Sequence, residues 1–379
     1  MSLFPTYPRL PITITDGEGT IVRDEDNKEY LDFMAGIGVN NLGHRPASVQ
    51  RAIEEQMNRL WHVSNLFPIP VQEDAAKLLT EHSSMDAVFF CNSGAEANEA
   101  AIKLARKHTW KDKVVTFHQS FHGRTFATMA ATGQDKVRTG FGQMLEPFEY
   151  ARWNDRESVE AAIDENTAAC LVEVVQGEGG VRPGEQSFLK HVQAICKENG
   201  ALFIIDEIQT GMGRTGELFS YQTVGLDPDI ITSAKGLGSG FPIGAMLGKE
   251  YLKEDFGPGS HGSTFGGNPL SAAAAKATLE EIVQEEFLDD VKEKGNYLKG
   301  KLELMVNDVP GVEEVRGLGL MIGIEWDREV KPMIEQAREK GLLILPAGPN
   351  VIRLLPPLTV TMKQLEAALQ ILDEVFHDQ

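Results

Sequence analysis

Two side chains capable of covalent and acid–base chemistry each follow an apolar run in this sequence. Residues 201–205 read Ala-Leu-Phe-Ile-Ile and lead into Asp206, and a second run from Ile230 leads to Lys235. Apolar runs of this kind are typical of buried strands, and ligands bind at the carboxyl ends of strands in an open parallel sheet. A lysine amine can form a Schiff base, and a carboxylate can keep a ring nitrogen protonated. The pair therefore suits a pyridoxal phosphate site.

Each half of this pair also has an ordinary interpretation. A strand that ends in Asp206-Glu207 matches the Walker B pattern of nucleotide hydrolases. That pattern requires a Gly-x-x-x-x-Gly-Lys-Ser/Thr loop upstream, which the sequence lacks. A lysine after a strand is in most proteins a solvated loop residue. The glycines at 236, 238 and 240 do not open a helix behind a strand, so they are not a dinucleotide-binding fingerprint.

A phosphate site is predicted where the apolar run at residues 87–91 ends and a helical pattern begins. Ser93, Gly94 and Ala95 occupy the turn between the two. Exposed backbone amides and the positive end of the helix dipole favour an anion at such a turn. Ser-Gly is also a common helix N-cap, which is the alternative interpretation.

Four further residues have side chains suited to binding a cofactor ring or a carboxylate. Phe121 follows a predicted strand and can stack on a flat ring, and Arg124 can bind a carboxylate through two hydrogen bonds. A core aromatic and a surface arginine are the alternative. Glu178 lies in a glycine-rich turn, where it can equally be a solvated residue. Arg353 lies in an apolar strand and must be paired, because an unpaired buried charge is very costly.

Strand and helix patterns alternate through the middle of the chain, which predicts a mostly parallel α/β sheet. Residues 12–31 predict a small antiparallel meander, residues 168–175 one strand, and residues 270–304 one long, largely continuous helix. A separate α+β pattern begins at Gly311. The predicted division of the chain is 1–60 for the N-terminal part of a small domain, 61–269 for a large cofactor-binding domain, 270–310 for a linking helical region and 311–379 for the C-terminal part of the small domain.

Composition indicates a globular protein and excludes several classes of partner. The 379 residues are 42% hydrophobic and 24% charged, and 36 Lys and Arg against 56 Asp and Glu give a net charge of −20. This charge argues against binding to nucleic acid or an anionic membrane. The three cysteines suit neither a disulfide framework nor a metal knuckle, so we expect no metal and a reducing cytoplasm. We see no signal peptide and no apolar run near the roughly 18 residues of a membrane span.

The motifs form an ordered set. They are Ser-Gly-Ala-Glu-Ala at 93–97, Phe-His-Gly-Arg at 121–124, Asp-Glu-Ile-Gln at 206–209, Ser-Ala-Lys-Gly at 233–236, Gly-Ser-Thr at 262–264, and Arg353. This set strongly resembles the class III, or ω-amino, aminotransferases, which are fold-type I pyridoxal phosphate enzymes. The resemblance extends from Asp16 to the terminal helix. One departure is Arg45, because the family often has His-Pro where this chain has His-Arg-Pro.

The resemblance implies an α/β fold of fold type I. A large, mostly parallel, seven-stranded sheet domain is expected, with a small α+β domain built from both chain ends. Lys235 is expected to hold the cofactor covalently and Asp206 to pair with its pyridine nitrogen, both acting in catalysis. The other cofactor-binding residues that the resemblance implies are Ser93, Gly94 and Ala95 at the phosphate, Phe121 and Ile208 on the two faces of the ring, Gln209 at the phenolic oxygen, and Thr264 at the phosphate of the neighbouring subunit. The family is built as homodimers with shared active sites.

Residues 40–44 and the compact length are most like the family members that act on acetylornithine. The resemblance thus implies transfer of the terminal amino group of N2-acetylornithine to 2-oxoglutarate, which gives N-acetylglutamate 5-semialdehyde and glutamate by ping-pong kinetics in arginine biosynthesis. We expect Arg353 to bind the proximal carboxylate of glutamate and Glu178 to neutralise it when acetylornithine binds. Arg124 and Ser263 would bind the distal carboxylate.

Three alternatives to this activity stay open. The chain can be an ornithine, succinylornithine or 4-aminobutyrate aminotransferase, because all of these share the cofactor residues. It can be a glutamate-semialdehyde aminomutase, although a paired Arg353 and Glu178 favour an enzyme with two substrates. It can also be a non-catalytic relative, against which the presence of Lys235, Asp206 and Arg353 together argues.

Overall fold

A computed structural model describes residues 2–377. Met1 and residues 378–379 lie outside the described part, although the predicted segments 1–60 and 311–379 include them. The strands are β1 (Ile14–Glu18), β2 (Ile21–Asp24), β3 (Glu29–Asp32), β4 (Ala87–Cys91), β5 (Lys113–Phe117), β6 (Phe148–Ala151), β7 (Thr167–Val172), β8 (Val175–Gln176), β9 (Arg182–Pro183), β10 (Leu202–Asp206), β11 (Ile230–Ser233), β12 (Gly244–Gly248), β13 (Val312–Leu318), β14 (Met321–Trp326), β15 (Leu342–Leu343), β16 (Leu345–Pro346) and β17 (Val351–Leu354). The helices are α1 (Ala35–Gly38), α2 (Ala47–Met57), α3 (Pro70–Glu81), α4 (Gly94–Thr109), α5 (Phe126–Ala131), α6 (Asp135–Arg138), α7 (Arg156–Ala162), α8 (Gln186–Glu198), α9 (Ser220–Val224), α10 (Pro269–Ile282), α11 (Glu285–Val306), α12 (Lys331–Glu339) and α13 (Met362–His377).

The largest sheet has seven strands in the order β4-β12-β11-β10-β7-β5-β6. Strand β12 is antiparallel to both of its neighbours, and the other pairs in this sheet are parallel. Every residue of β7, β10 and β11 is buried, as expected for apolar strands covered on both faces. The predicted fold class, with a large, mostly parallel, seven-stranded sheet, is confirmed.

The parallel strands of this sheet end at one common edge. Strands β4, β5, β10 and β11 run in the same direction, and the predicted motifs follow their last residues. The helix α4 follows β4 and packs across the sheet, with Ala97, Ala101 and Ala105 completely buried on its inner face. The sequence thus brings an acid, an amine and a helix start to one edge, where α/β sheets bind ligands.

Both ends of the chain contribute to a second, smaller layer. Strands β1, β2 and β3 form the predicted antiparallel meander, and β15 adds to it in parallel, with Leu342 opposite Leu31. A further sheet has the order β13-β14-β17-β16. The core between these sheets and their helices contains Phe33, Trp326 and Leu354. The small α+β part from both chain ends is confirmed, whereas the domain boundaries stay a prediction.

The single helix predicted for residues 270–304 is wrong, because the structure forms two helices, α10 and α11. The chain leaves the helical conformation at Gln284, where ψ is 131°. Ile282 packs in the core of the large sheet, whereas Val291 and Leu298 pack in the core of the small part. Two helices rather than one allow each apolar face to reach its own core.

The single strand predicted for residues 168–175 is also wrong at its end. Strand β7 ends at Val172, and the next extended residues form the short strand β8, which pairs with β9 instead of the large sheet. The break falls at Glu173, whose carboxylate accepts hydrogen bonds from two loop amides.

No helix in the described chain is long and apolar enough to cross a membrane.

Candidate active site

A cavity of about 460 Å³ opens at the common strand edge. Its volume lies within the range of roughly 300–1,000 Å³ that is typical of small-molecule sites. The residues predicted from sequence that line it are Ser93, Gly94, Ala95, Phe121, Arg124, Glu178, Asp206, Ile208, Gln209 and Lys235. These ten residues come from five separate segments of the sequence, which therefore meet around one space.

Lys235 enters the cavity from the turn that follows β11. Its φ of 45° lies in the left-handed region, which is uncommon for a residue with a side chain and often marks a functional site. Burial lowers the pKa of Lys235 to about 8, against the opposing effect of the Glu178 charge. The next residue must be glycine, because a Cβ on Gly236 would lie 2.3 Å from Nδ2 of the buried Asn41. A lysine in this state holds a substantial fraction of neutral, nucleophilic amine near neutral pH.

Asp206 ends β10 and is fixed by three hydrogen bonds. Its Oδ2 accepts from Asn98 Nδ2 at 2.8 Å and pairs with His122 Nδ1 at 2.7 Å, while its Oδ1 accepts from the Ile208 amide at 3.0 Å. Thr232 Oγ1 donates in turn to the side-chain Oδ1 of Asn98 at 2.8 Å. The carboxylate therefore keeps one orientation at the cavity, where it is 4% exposed.

The start of helix α4 forms the anion-binding part of the cavity. Ser93 is the N-cap, and its Oγ accepts from the Glu96 amide at 3.2 Å, which fixes the oxygen and leaves the O–H able to donate to an anion. The first amides of the helix, at Gly94 and Ala95, have no partner within an α-helix. A Cβ on Gly94 would lie 2.7 Å from the end of the Ile208 side chain, so glycine allows this backbone to approach the cavity floor. Backbone amides are thus the groups best placed to bind a phosphate.

Phe121 and Arg124 form the wall that follows β5. The Phe121 amide donates to Glu173 Oε1 at 3.0 Å, which fixes the start of this loop. The Arg124 guanidinium carbon lies 5.7 Å from the centre of the Phe121 ring, a cation–π distance. Arg124 has an exposed side chain that lines the cavity. Arg124 therefore lies where the sequence placed it, and its binding of a carboxylate stays a prediction.

Glu178, which lines the cavity, forms an ion pair with Arg353, which is not itself a lining residue. Arg353 Nη1 lies 2.6 Å from Glu178 Oε1 and donates to Gln209 Oε1 at 2.9 Å. Arg353 is 2% exposed, so its charge depends on these partners. Burial alone would raise the pKa of Glu178, but the adjacent Arg353 lowers it below its ordinary value. The pair that the sequence required for a buried arginine is present.

Three residues of the site had no predicted role. Asn98 and His122 orient Asp206, and Glu173 accepts hydrogen bonds from the Phe121 and Gly177 amides. Burial raises the pKa of Glu173 to about 7. Each lay within reach of sequence reasoning, because Asn98 is on α4 one turn after the cap and His122 adjoins Phe121. Glu173 directly follows β7, at the edge where ligands bind.

Ser263 and Thr264 do not line this cavity. They border a separate space of about 390 Å³ with His62, Asn65 and Leu66. Ser263 Oγ accepts from Asn92 Nδ2 at 3.1 Å, which places the serine behind the cavity wall. The prediction that Ser263 and Arg124 bind the same carboxylate is therefore not supported within one chain.

The arrangement fits a flat, phosphorylated aldehyde. Phe121 and Ile208 supply apolar surfaces, the start of α4 supplies amides, Asp206 supplies a fixed acid and Lys235 an amine. The Nε2 atom of buried His122 has no partner among the described residues. Within residues 2–377 there is no cluster of three or more His, Cys, Asp or Glu that could hold a metal ion.

Comparisons with known proteins agree with this chemistry. The family model described as Aminotransferase class-III matches residues 5–376. Acetylornithine aminotransferase from Halalkalibacterium halodurans is 59% identical over 373 residues, which are 98% of this chain and 97% of that protein. The crystal structure of N-acetylornithine aminotransferase from Stenotrophomonas maltophilia is 36% identical with a TM-score of 0.86, and the match covers 98% of this chain and 97% of that one.

A second solved structure is similar in its whole backbone. It is an ornithine aminotransferase from Toxoplasma gondii with partial occupancy of PLP at its active site. It is 32% identical, with a TM-score of 0.95, and the match covers 99% of this chain and 92% of that one. Proteins with different amino donors thus share this backbone, so the choice of donor depends on side chains.

Proposed function

The chain belongs to the class III aminotransferases, and from this premise we propose that it transfers the terminal amino group of N2-acetylornithine to 2-oxoglutarate, with pyridoxal 5'-phosphate as cofactor. The products are N-acetylglutamate 5-semialdehyde and glutamate. Full-length relatives more than half identical to the chain support this donor. The observation that carries the proposal is Glu178, which lines the same cavity as Lys235 and Asp206 and forms an ion pair with the buried Arg353.

The cofactor would be held by residues of the large sheet. Lys235 would attach it covalently, the amides of Gly94 and Ala95 would bind the phosphate, and Phe121 and Ile208 would cover the ring faces. Gln209 would reach the phenolic oxygen. When bound, pyridoxal phosphate withdraws electrons from the carbon that carries the reacting amine, so that this carbon can lose a proton.

Two residues of the chain then carry the proton chemistry. Asp206, held by Asn98 and His122, keeps the pyridine nitrogen protonated through charge and hydrogen bonding. Once freed by the substrate amine, Lys235 would take the proton from the substrate carbon as a general base and, as a general acid, deliver it to a different carbon on the cofactor side. A pKa of about 8 suits both directions near neutral pH.

The two substrates impose different charges on the same cavity. Glutamate has a carboxylate beside its reacting carbon, whereas the carboxylate of acetylornithine lies at the far end. Arg353 would bind the proximal carboxylate of glutamate, and Glu178 would neutralise Arg353 when acetylornithine binds. Arg124, at the other wall of the cavity, would bind the distal carboxylate.

A panel of amine donors at equal concentration tests the proposed activity. N2-acetylornithine should give the highest kcat/KM, and turnover should require added 2-oxoglutarate. Preference for ornithine, succinylornithine or 4-aminobutyrate would assign the chain to another activity of the same family. Isomerisation of glutamate semialdehyde without 2-oxoglutarate would identify a mutase instead.

We also propose a cytoplasmic homodimer whose subunits share their active sites. The three cysteines, Cys91, Cys170 and Cys196, are free and buried, which suits a reducing compartment. Leu66 is 89% exposed and Phe265 57% exposed, both beside Thr264, and apolar side chains exposed together commonly mark an interface. Thr264 would then serve the phosphate of the partner subunit.

The assembly is tested by light scattering of the protein and of Phe265→Asp. The wild-type protein should have the mass of a dimer, and the variant should dissociate and bind the cofactor more weakly. A monomeric wild-type protein with full activity would refute shared active sites.

A further inference from the structure

Glu178 stands between the active-site cavity and a second cavity of about 720 Å³. Among the described residues, it is the only one that lines both spaces. The wall of the second cavity carries the cations Lys136, Arg152 and Arg182 and the anion Glu325. With Glu178 itself, three cations face two carboxylates in this cavity, whereas the whole chain has a net charge of −20.

The proposed function does not say where the Glu178 carboxylate goes when it leaves Arg353. When the proximal carboxylate of glutamate binds Arg353, the Glu178 carboxylate must leave, because two carboxylates at one guanidinium repel each other. A partly buried carboxylate without a partner is costly, so a released Glu178 requires another cation or water. Arg353 itself stays in place, because Gln209 Oε1 still accepts from it at 2.9 Å.

The backbone around Glu178 is fixed on both sides. The Gly177 amide donates to Glu173 Oε2 at 3.1 Å, and Arg316 donates to the carbonyl oxygens of Gly180 and Val181 at 2.7–3.1 Å. The short strands β8 and β9 close the same loop. Only the Glu178 side chain, which is 32% exposed, is free to change its position.

Arg182 is the cation best placed to receive it. It belongs to the same hairpin as Glu178, where it pairs with Gln176, and it lines the second cavity. Its Nη2 lies 3.1 Å from Glu325 Oε1, which orients the guanidinium and leaves other N–H groups available. Lys136 and Arg152 line the same cavity but lie outside this hairpin, in α6 and just after β6.

We propose that Arg182 binds the Glu178 carboxylate whenever glutamate or 2-oxoglutarate occupies Arg353. Arg182 is thus a positioning residue that sets the specificity of one half-reaction. The inference rests on the proposed function, because it requires the exchange of partners at Arg353. The acetylornithine half-reaction does not use Arg182, since Glu178 then stays on Arg353.

The test is Arg182→Gln, with the KM for each substrate measured separately. KM for 2-oxoglutarate and for glutamate should rise about tenfold, which corresponds to about 1.4 kcal/mol, while KM for acetylornithine stays within about twofold. Arg182→Lys keeps the charge and should restore most of the affinity. Arg152→Gln removes an equal charge from the same cavity and should change neither constant.

Several outcomes would overturn this assignment. Unchanged constants in Arg182→Gln would mean that the released carboxylate is hydrated, and equal losses for both substrates would mean a general structural role. An equal effect of Arg152→Gln would make the total charge of the cavity responsible. Glu178→Gln, measured in parallel, distinguishes failure of the Arg182 assignment from failure of the proposed partner exchange at Arg353. If it affects the half-reactions unequally while Arg182→Gln does nothing, only the Arg182 assignment fails; if it affects them equally, the proposed partner exchange fails as well.

Discussion

Replacement of Glu178 by glutamine removes the charge from the Arg353 pair and keeps the size of the side chain. The lost contact is an ion pair with 2.6 Å between Nη1 and Oε1, made to an arginine that is 2% exposed. Hydrogen bonds to charged groups contribute about 1.5–3 kcal/mol. The lower part of this range applies, because Gln209 still accepts from Arg353 and a third of the Glu178 side chain is exposed.

The loss should fall on one half-reaction. A cost of about 2 kcal/mol is roughly a thirtyfold decrease in kcat/KM for acetylornithine, because Arg353 would then face this substrate without a counter-charge. Glutamate brings its own carboxylate to Arg353, so its kcat/KM should change by less than about threefold.

Single-turnover absorbance measurements with each amino donor separate the two half-reactions. Glu178→Asp, which keeps the charge on a shorter side chain, is the matched control and should lose less than the glutamine variant. Equal decreases for acetylornithine and glutamate in Glu178→Gln would refute the exchange of partners at Arg353.

Two further predictions concern the lysine and the glycine that follows it. Because burial lowers the pKa of Lys235 to about 8 from an ordinary 10.5, the rate at which cofactor-free protein takes up pyridoxal phosphate should rise through about pH 8 and then level off; a midpoint near the ordinary value would contradict the desolvated site. Gly236→Ala should lower the free energy of unfolding, measured by urea denaturation, by about 2 kcal/mol, because the new Cβ meets the buried Asn41. Gly300→Ala, at a helical position with nothing within 4 Å, should be neutral or stabilising, and a loss equal to that of Gly236→Ala would refute the steric cause.

The positions of the proposed catalytic pair were predictable because each residue comes at the end of a continuous apolar run. Asp206 is the last residue of β10, and Lys235 comes two residues after the end of β11; both strands are completely buried and have a strong sequence signal. Because parallel strands end at the same edge of a sheet, the strand order alone predicts that these two residues lie near each other. The same reasoning located the helix start at Gly94.

The residues that orient the pair were harder to predict. Asn98 and His122 meet Asp206 through hydrogen bonds between a helix, a loop and a strand, and sequence spacing does not encode such contacts. The break at Gln284 was missed because two helices with similar patterns pack on different cores. Ser263 was grouped with Arg124 from the carboxylates of the two substrates, whereas the two residues line different cavities in one chain.

Borohydride reduction of the pyridoxal phosphate-loaded protein, followed by peptide mapping, tests most directly whether Lys235 holds the cofactor. The reduced pyridoxyl group should be found on the peptide that contains Lys235, and Lys235→Ala should carry no label while keeping its fold. A protein that stays colourless with pyridoxal phosphate, or a label on another lysine at full activity, would contradict the site described for the ends of β10 and β11.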